Sequence, residues 1–212
     1  MWEVMFMHED LVRLYRTKST HYKYFYNIMP LKNIPSVIEK GILSFDKTKS
    51  FSHTSIAMNE IQERRENVRI PNGKRLHSYA NLYFTYHNPM MYKRRTQARS
   101  LCVLVIDPSI IYFDGCVLSD RNAAADLARF FTPDVGLDEI DFNLVFSEDW
   151  TDPNPYRQQA KKTIKCAEVL IPTQVPYDYI VGAYVLNEDV EQQLIQMGFH
   201  KKIIIDPDVF YR

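Results

Sequence analysis

The sequence predicts an α+β fold in a single domain over residues 1–212. Helical patterns come mainly early and at the edges, apolar strand patterns follow one another, and the strict strand-helix-strand alternation of a parallel sheet is missing. With 212 residues and a hydrophobic content of 46%, the chain can bury one core of ordinary size.

The first third of the chain contains three helical patterns. Residues 11–15 carry Leu and Tyr at helical spacing, and we expect a packing helix there. A short helix is predicted over residues 33–40, because Gly41 supplies the residue type that ends a helix. Another helix is predicted over residues 54–67, and the Pro-Asn-Gly sequence at 71–73 predicts a turn after it.

The rest of the chain is richer in strand patterns. Asn122 is a candidate cap for a helix that continues through Phe131, and Asn187 is a candidate cap for a helix from Glu188 to Met197. A loop is expected over 147–156, with a basic connecting segment after it. Aromatic and branched residues predict strands over 80–86, 100–107, 166–172, 179–186 and 201–211.

Charge is distributed unevenly along a chain whose net charge is zero. Residues 64–99 contain nine Lys and Arg residues and one acid, a local net charge of +8. Residues 107–152 contain eleven acids and two bases, a local net charge of −9. The basic part suits a polyanion such as nucleic acid or a pyrophosphate cofactor.

Several classes of protein lack support in the sequence. The three cysteines form no C-x-x-C pair, and no apolar run is long enough to span a membrane, so we expect a cytoplasmic protein. P-loop, dinucleotide-fold and hydrolase-elbow motifs are missing. The six histidines show no metal-binding spacing, which favours a metal-independent mechanism.

Two charged residues, Glu168 and Arg65, each have both a structural and a functional interpretation. Glu168 lies within an apolar strand pattern, on the face opposite to Ala167 and Val169. Its carboxylate either reaches solvent and discourages edge aggregation, or lines a cleft where it stabilises positive charge on an anomeric carbon. Arg65 either lies on a solvated helix face or clamps a phosphate or nucleobase.

Aromatic residues alternate with basic ones after the predicted turn, a mixture typical of single-stranded nucleic-acid sites. In a strand, however, the aromatic residues over 79–86 are more often part of core and sheet packing than of a stacking surface. Lys93, Arg94 and Arg95 are therefore the candidates for phosphate contacts, with Tyr92 as a candidate for base stacking.

Six ordered blocks resemble the DarT family of DNA ADP-ribosyltransferase toxins, over about residues 26–190. They read NIPSVIEKGILS, NEIQERR, LHSYANLYFTYHNPMMY, LSDRNAAADLARFF, LDEIDF and KCAEVLIP. The resemblance implies an ADP-ribosyltransferase-like fold, with split, mainly antiparallel β-sheets around an NAD cleft and flanking helices. It implies transfer of ADP-ribose from NAD to a base of single-stranded DNA with release of nicotinamide, and a macrodomain antitoxin of the DarG type that reverses the modification.

The resemblance also implies roles for individual residues. Glu168 and Arg65 match the catalytic glutamate and arginine of the family, and the loop over 148–157 matches the segment that receives the substrate. The NAD-binding residues implied are Met29, Pro30, Leu31, Leu43, Ser44 and Arg65. Together with the basic segment, the expected DNA-binding residues are Arg75, His77, Tyr92, Lys93, Arg94, Arg95, Trp150, Tyr156 and Arg157.

Two departures from the family pattern bear on the substrate. Many members carry a histidine in the first NAD motif, where this chain reads Asn-Ile-Met-Pro-Leu-Lys over 27–32. That difference leaves the target base open between guanine, which we favour, and thymine. Cys166 stands where ADP-ribosyltransferases that modify protein arginine carry Gln or Glu, which argues against a protein substrate. The alternatives are a non-catalytic nucleic-acid-binding module and a transferase that acts on RNA or protein.

Overall fold

The structure is a computed structural model that describes residues 11–19, 21–49, 59–71 and 74–211, without the side chains of 59–62. The strands are β1 (Phe25–Pro30), β2 (Ile42–Leu43), β3 (Tyr79–Tyr83), β4 (Leu101–Ile106), β5 (Val117–Ser119), β6 (Phe130–Phe131), β7 (Glu168–Pro172), β8 (Gln174–Val175), β9 (Ile180–Val185) and β10 (Lys202–Ile205).

The helices lie mostly between the strands. They are α1 (residues 11–17), α2 (Ile34–Lys40), α3 (Phe45–Thr48), α4 (Asn59–Asn67), α5 (Pro89–Lys93), α6 (Pro133–Glu139), α7 (Phe142–Val145), α8 (Pro155–Ile164) and α9 (Glu188–Gln196). Short 3-10 helices are formed by Leu31–Asn33, Leu76–Ser78, Arg95–Ser100, Pro108–Tyr112, Tyr177–Tyr179 and Pro207–Val209. No helix among the described residues is long and apolar enough to cross a membrane.

Within the described residues, eight strands form one sheet in the order β10-β9-β4-β1-β3-β7-β5-β6, and β2 pairs with β8 separately. Neighbouring strands are antiparallel except β9 and β10, which are parallel. The predicted α+β class with a mainly antiparallel sheet is therefore confirmed.

The sheet is nearly divided between β1 and β3. All six residues of β1 pair with β4, whereas β1 meets β3 only where Tyr26 lies opposite Tyr83. Beside this point the Asn27 side chain donates a hydrogen bond from Nδ2 to the Asn81 carbonyl oxygen, at 3.0 Å. Because the two strands pair at a single position, their ends diverge and open a split between two half-sheets.

Alternation along the strands sends side chains into two packed layers. On one face Leu82, Leu104 and Val169 lie in the main core, and α2 and α9 bury apolar residues against them. On the other face Tyr26, Tyr83, Val103, Cys166 and Phe210 form a second cluster. Glu168 lies opposite Tyr83 in the β3–β7 ladder, and so belongs to the second face.

The helix predicted over residues 122–131 is wrong. The segment is a loop, and its last two residues form strand β6 beside β5. Asn122 accepts a hydrogen bond from the Ala124 N–H at 2.9 Å, and Asp120 accepts one from the Arg129 N–H at 3.0 Å. These side chains bond to nearby backbone, which favours turns over a helix.

Helix α8 was not predicted, since the sequence indicated a loop followed by a basic connecting segment there. Asn154 caps it by accepting hydrogen bonds from the N–H groups of Tyr156 and Arg157, and Pro155 takes the first helical position. The Asn-Pro signal was therefore present in the sequence.

Other predicted helix ends are confirmed. Gly41 follows α2 with a φ of +74°, and Asn187 caps α9 by accepting a hydrogen bond from the Val190 N–H at 3.1 Å. The beginning of the helix predicted over 54–67 lies outside the described residues, as do two of the three residues of the predicted turn.

Candidate active site

Glu168 is the first residue of β7 and has no exposed surface. Its neighbours in the sheet are Tyr83 of β3 and Ser119 of β5. The alternative of a solvent-exposed strand glutamate is therefore wrong. A buried carboxylate costs several kcal/mol unless it is paired and hydrogen-bonded, so the groups around it are informative.

Three close contacts from two other segments hold the Glu168 carboxylate. Nη1 of Arg65, on α4, lies 3.1 Å from each carboxylate oxygen. The Ala123 N–H donates to Oε1 at 2.9 Å. Arg65 is only 8% exposed, unlike its exposed neighbour Arg64, so the solvated-face interpretation is excluded for Arg65. The misassigned loop after β5 thus supplies a backbone donor to the site.

The charges of this pair affect the groups around them. Burial raises the pKa of the Tyr83 hydroxyl, and the negative charge of Glu168 raises it further. Burial lowers the pKa of His77, and the positive charge of Arg65 lowers it further. Both Tyr83 and His77 are therefore neutral near pH 7. No cluster of potential metal ligands occurs in the part of the chain that the structure describes.

The residues expected to bind NAD lie along the split and at the end of β7. Met29 and Leu31 point into the main core, so a ligand in the split can reach them only through backbone groups. Ser44 is buried, and its N–H donates to the Thr173 carbonyl oxygen at 2.8 Å. Thr173, directly after β7, has a φ of +67°, a conformation that is unfavourable for a branched residue.

Asn27 begins the stretch that departs from the family pattern, and its side chain lies beside the single β1–β3 pair. Its Oδ1 is buried without a hydrogen bond from any described residue. Buried acceptors usually have a partner, so this atom is an exception.

Part of the expected DNA surface is assembled as one aromatic cluster. Trp150 lies 5.8 Å from Tyr92, measured between ring centroids, and both rings contact Tyr211. The Arg95 guanidinium lies over the Tyr92 ring at 4.4 Å. Lys93 is exposed, and Arg94 is half-buried. Contact of this cluster with DNA stays a prediction.

Other expected DNA-binding residues lie elsewhere. The ring of His77 is buried against Phe45, with 4.2 Å between centroids, so it packs inside the protein. Arg75 pairs with Asp46 at 3.4 Å. Tyr156, which is 87% exposed, and Arg157 project from the first turn of α8. The structure does not bring these residues into the aromatic cluster.

Lys165 was missed, because its side chain is buried only by residues distant in sequence. It is 2% exposed and donates hydrogen bonds to the carbonyl oxygens of Val145, at 3.2 Å, and Ser147. Its Nζ also lies 5.8 Å from the Trp150 ring. Lys165 therefore ties the loop before α8 to the segment that leads into Glu168.

We expect Lys165 to make stability depend on pH. Burial lowers the pKa of Lys165 from its ordinary 10.5 to about 8, so between these values the folded state holds fewer protons than the unfolded state. Stability of the wild type relative to Lys165→Met should therefore rise by about 1 kcal/mol between roughly pH 8 and 9.5. Urea unfolding of both proteins measures this difference, and the exposed Lys202→Met is the control. A difference that does not change with pH would contradict the expectation.

A split antiparallel sheet with a buried Arg-Glu pair beside the split defines an ADP-ribosyltransferase-like protein. The sequence profile of one family, described as "ssDNA thymidine ADP-ribosyltransferase, DarT", matches residues 26–211. The chain belongs to the DarT family, as its six sequence blocks predicted.

Relatives and solved structures agree with this assignment. A DNA ADP-ribosyl transferase of Thermus sp. is 26% identical over 183 residues, covering 81% of this chain and 85% of the relative. A DNA ADP-ribosyl transferase-DNA ADP-ribosyl glycohydrolase fusion protein of Thermosipho africanus is 28% identical over 190 residues, covering 86% of this chain. The match spans only 47% of that fusion protein, about half its length.

The structure of Thermus sp. 2.9 DarT in complex with ADP-ribosylated ssDNA superposes with a TM-score of 0.77 at 25% identity. The superposition covers 88% of this chain and 95% of that one. Thermosipho africanus DarTG in complex with ADP-ribose gives a TM-score of 0.75 at 26% identity, covering 88% of this chain and 50% of that one. These similarities confirm the predicted ADP-ribosyltransferase-like fold.

Proposed function

We propose that this protein transfers ADP-ribose from NAD to a base of single-stranded DNA and releases nicotinamide. The observation that carries the proposal is the buried Arg65-Glu168 pair beside the split of the sheet, in a chain of the DarT family. The relatives named above are described as acting on DNA, which supports DNA over RNA or protein as the acceptor.

The residues along the split fit NAD as the substrate. Among the described residues, β1 pairs with β3 only at Tyr26, so the rest of this strand edge can offer backbone groups to a ligand. Asn27 lies opposite Leu104 in the β1–β4 ladder, so its side chain belongs to the main-core face and not to the face of Glu168. The strand edge therefore supports contacts with NAD mainly through backbone groups.

Glu168 is assigned the role of stabilising charge on the ribose. The Glu168 carboxylate is oriented by three contacts, so it can orient a ribose hydroxyl and stabilise positive charge that develops at the anomeric carbon as nicotinamide leaves. Glu168 has no exposed surface, so the ribose reaches its carboxylate only after a neighbouring group moves aside.

Arg65 is assigned two tasks. Its Nη1 orients Glu168, and its remaining guanidinium nitrogens make no hydrogen bond to the described residues. Those nitrogens can contact the pyrophosphate of NAD or position the acceptor base, because a guanidinium presents several donors in one plane.

The acceptor base is the finer part of the proposal. The family description names thymidine, so thymine is the first candidate, ahead of the guanine that the departure at Asn27 favoured. Guanine and thymine offer different nucleophilic atoms to the anomeric carbon of NAD. Analysis of the modified product therefore identifies the acceptor base.

The proposal predicts a mass increase of one ADP-ribose on single-stranded oligonucleotides that contain the correct base. Purified protein is incubated with NAD and oligonucleotides that each lack one base, and the products are weighed by mass spectrometry. Matched RNA and duplex DNA serve as controls and should stay unmodified. Binding without any adduct would instead support the non-catalytic nucleic-acid-binding module.

We further propose that the protein is a cytoplasmic toxin whose product is removed by a macrodomain partner. The Thermosipho relative is described as a fusion of a DNA ADP-ribosyl transferase and a DNA ADP-ribosyl glycohydrolase, and this chain matches 47% of it. A separate macrodomain hydrolase added to the modified oligonucleotide should restore its original mass, and an adduct resistant to such hydrolases would contradict this part.

A further inference from the structure

A cavity of about 530 Å³ lies beside the aromatic cluster and is not explained by the NAD site. Most of its wall is aromatic, and its lining includes Tyr22, His87, Phe146, Glu148, Phe210 and Tyr211. Aromatic walls are the surfaces on which single-stranded nucleic-acid sites stack bases.

The aromatic wall is rigidly built. Tyr22 stacks on Phe146 with 5.0 Å between ring centroids and an interplanar angle of 14°. His87 is held from both sides, because its Nε2 lies 2.7 Å from the Asp208 carbonyl oxygen and its Nδ1 lies 3.3 Å from the Tyr22 hydroxyl. A carbonyl only accepts, so Nε2 carries a proton. Burial lowers the pKa of His87, so the ring is neutral near pH 7 and Nδ1 accepts from the Tyr22 hydroxyl. Both hydrogen bonds fix the orientation of the ring.

The lining contains two acidic residues, Asp208 and Glu148, and Glu148 is the one to which we assign a ligand. It is exposed, and no described residue donates a hydrogen bond to it or forms an ion pair with it. Burial raises the pKa of Tyr22, and the negative charge of Glu148, which lines the same cavity, raises it further. A carboxylate beside an aromatic wall accepts hydrogen bonds from the amino groups of bases.

The cavity is connected to the active site by short contacts. Tyr211 lines the cavity and also contacts Trp150 and Tyr92. Lys165 holds the carbonyl of Ser147, another lining residue, and lies three residues before Glu168. Lys165 therefore joins the loop that lines the cavity to the segment that leads into Glu168.

We propose that this cavity binds a nucleobase adjacent to the modified base and selects a base with an amino group, guanine first. The proposal rests on the proposed function, since it places single-stranded DNA at the site. Guanine presents a ring N–H and an amino group on one edge, and a single carboxylate accepts from both. Thymine presents one N–H between two carbonyl oxygens, which a carboxylate repels.

The basic residues near the cavity complement this arrangement. Arg95 lies over Tyr92, and Lys93 is exposed on the same helix, so phosphates next to the bound base meet positive charge outside the cavity. In this arrangement Glu148 contacts the edge of the base, whereas Lys93 and Arg95 contact phosphates of the DNA backbone.

Binding tests the proposal without any catalytic step. Fluorescence anisotropy measures the affinity of the wild type for short single-stranded oligonucleotides that carry guanine, inosine or thymine at one position. Inosine lacks only the amino group of guanine. We expect guanine to bind about tenfold more tightly than inosine, since a hydrogen bond to a charged group contributes about 1.5 kcal/mol or more.

The matched variants are Glu148→Gln and Glu188→Gln. Glu188 is an exposed residue at the start of α9, which packs on the opposite face of the sheet. Glu148→Gln should reduce the ratio of guanine to inosine affinity to twofold or less, while Glu188→Gln should preserve it. A ratio near one in the wild type, or an unchanged ratio in Glu148→Gln, would overturn the proposal. Failure of ADP-ribose transfer, by contrast, would overturn only the proposed function, because these affinities are measured without NAD.

Discussion

Glu168→Gln should reduce the rate of ADP-ribose transfer by about 10² to 10³-fold, because the amide cannot stabilise the positive charge that develops on the ribose. Glutamine has nearly the same shape, and its oxygen can still accept hydrogen bonds from the Ala123 N–H and from Arg65. The substitution therefore removes a charge at the site and preserves the packing around it. Single-turnover transfer to an oligonucleotide, measured well below the unfolding temperature, gives the rate.

Two measurements separate this effect from damage to the fold. The exposed variant Glu188→Gln should transfer ADP-ribose at the wild-type rate. Anisotropy of labelled single-stranded DNA should show that Glu168→Gln still binds the acceptor, because Glu168 has no exposed surface to offer to DNA. Transfer by Glu168→Gln at the wild-type rate would contradict the role assigned to the carboxylate.

Arg65→Met should be the most destabilising of the substitutions discussed. It leaves the Glu168 carboxylate buried with only the Ala123 N–H as a donor, and removal of one partner of a buried ion pair costs about 3 to 5 kcal/mol. Transfer activity should also be lost, because Arg65 both orients Glu168 and offers donors to the substrate. Urea denaturation measures the free energy of unfolding, and the transfer assay measures the activity.

The double variant Arg65→Met/Glu168→Gln shows whether the two residues stabilise the fold as an ion pair or only through packing. Glutamine carries no charge, so its burial without Arg65 is far less costly, and the double variant should be more stable than Arg65→Met alone. It should remain inactive. Strictly additive losses of stability in the two single variants and the double variant would show that the pair is not coupled in the folded state.

Features that depend on local sequence were predicted well. Gly41 and Asn187 mark helix ends because φ and capping requirements act over a few residues. Alternation placed Glu168 on the face opposite to Val169 for the same reason. The helix expected after Asn122 failed because local hydrogen bonds of Asp and Asn side chains outweighed helix propensity, and α8 was missed although its Asn-Pro cap was visible.

The sequence by itself determined the class, the polarised charge and the family, and it made Arg65 and Glu168 the candidates for the chemistry, since ordered motifs and residue types carry that information. Only the tertiary structure decided what those residues contact. Arg65 and Glu168 are 103 residues apart, and the backbone donor at Ala123 comes from a third segment. The burial of Lys165, the single pair that joins β1 to β3 and the cavity beside Glu148 likewise depend on long-range packing. A periodic pattern tells which face a side chain occupies, whereas its partner across that face depends on how distant strands align.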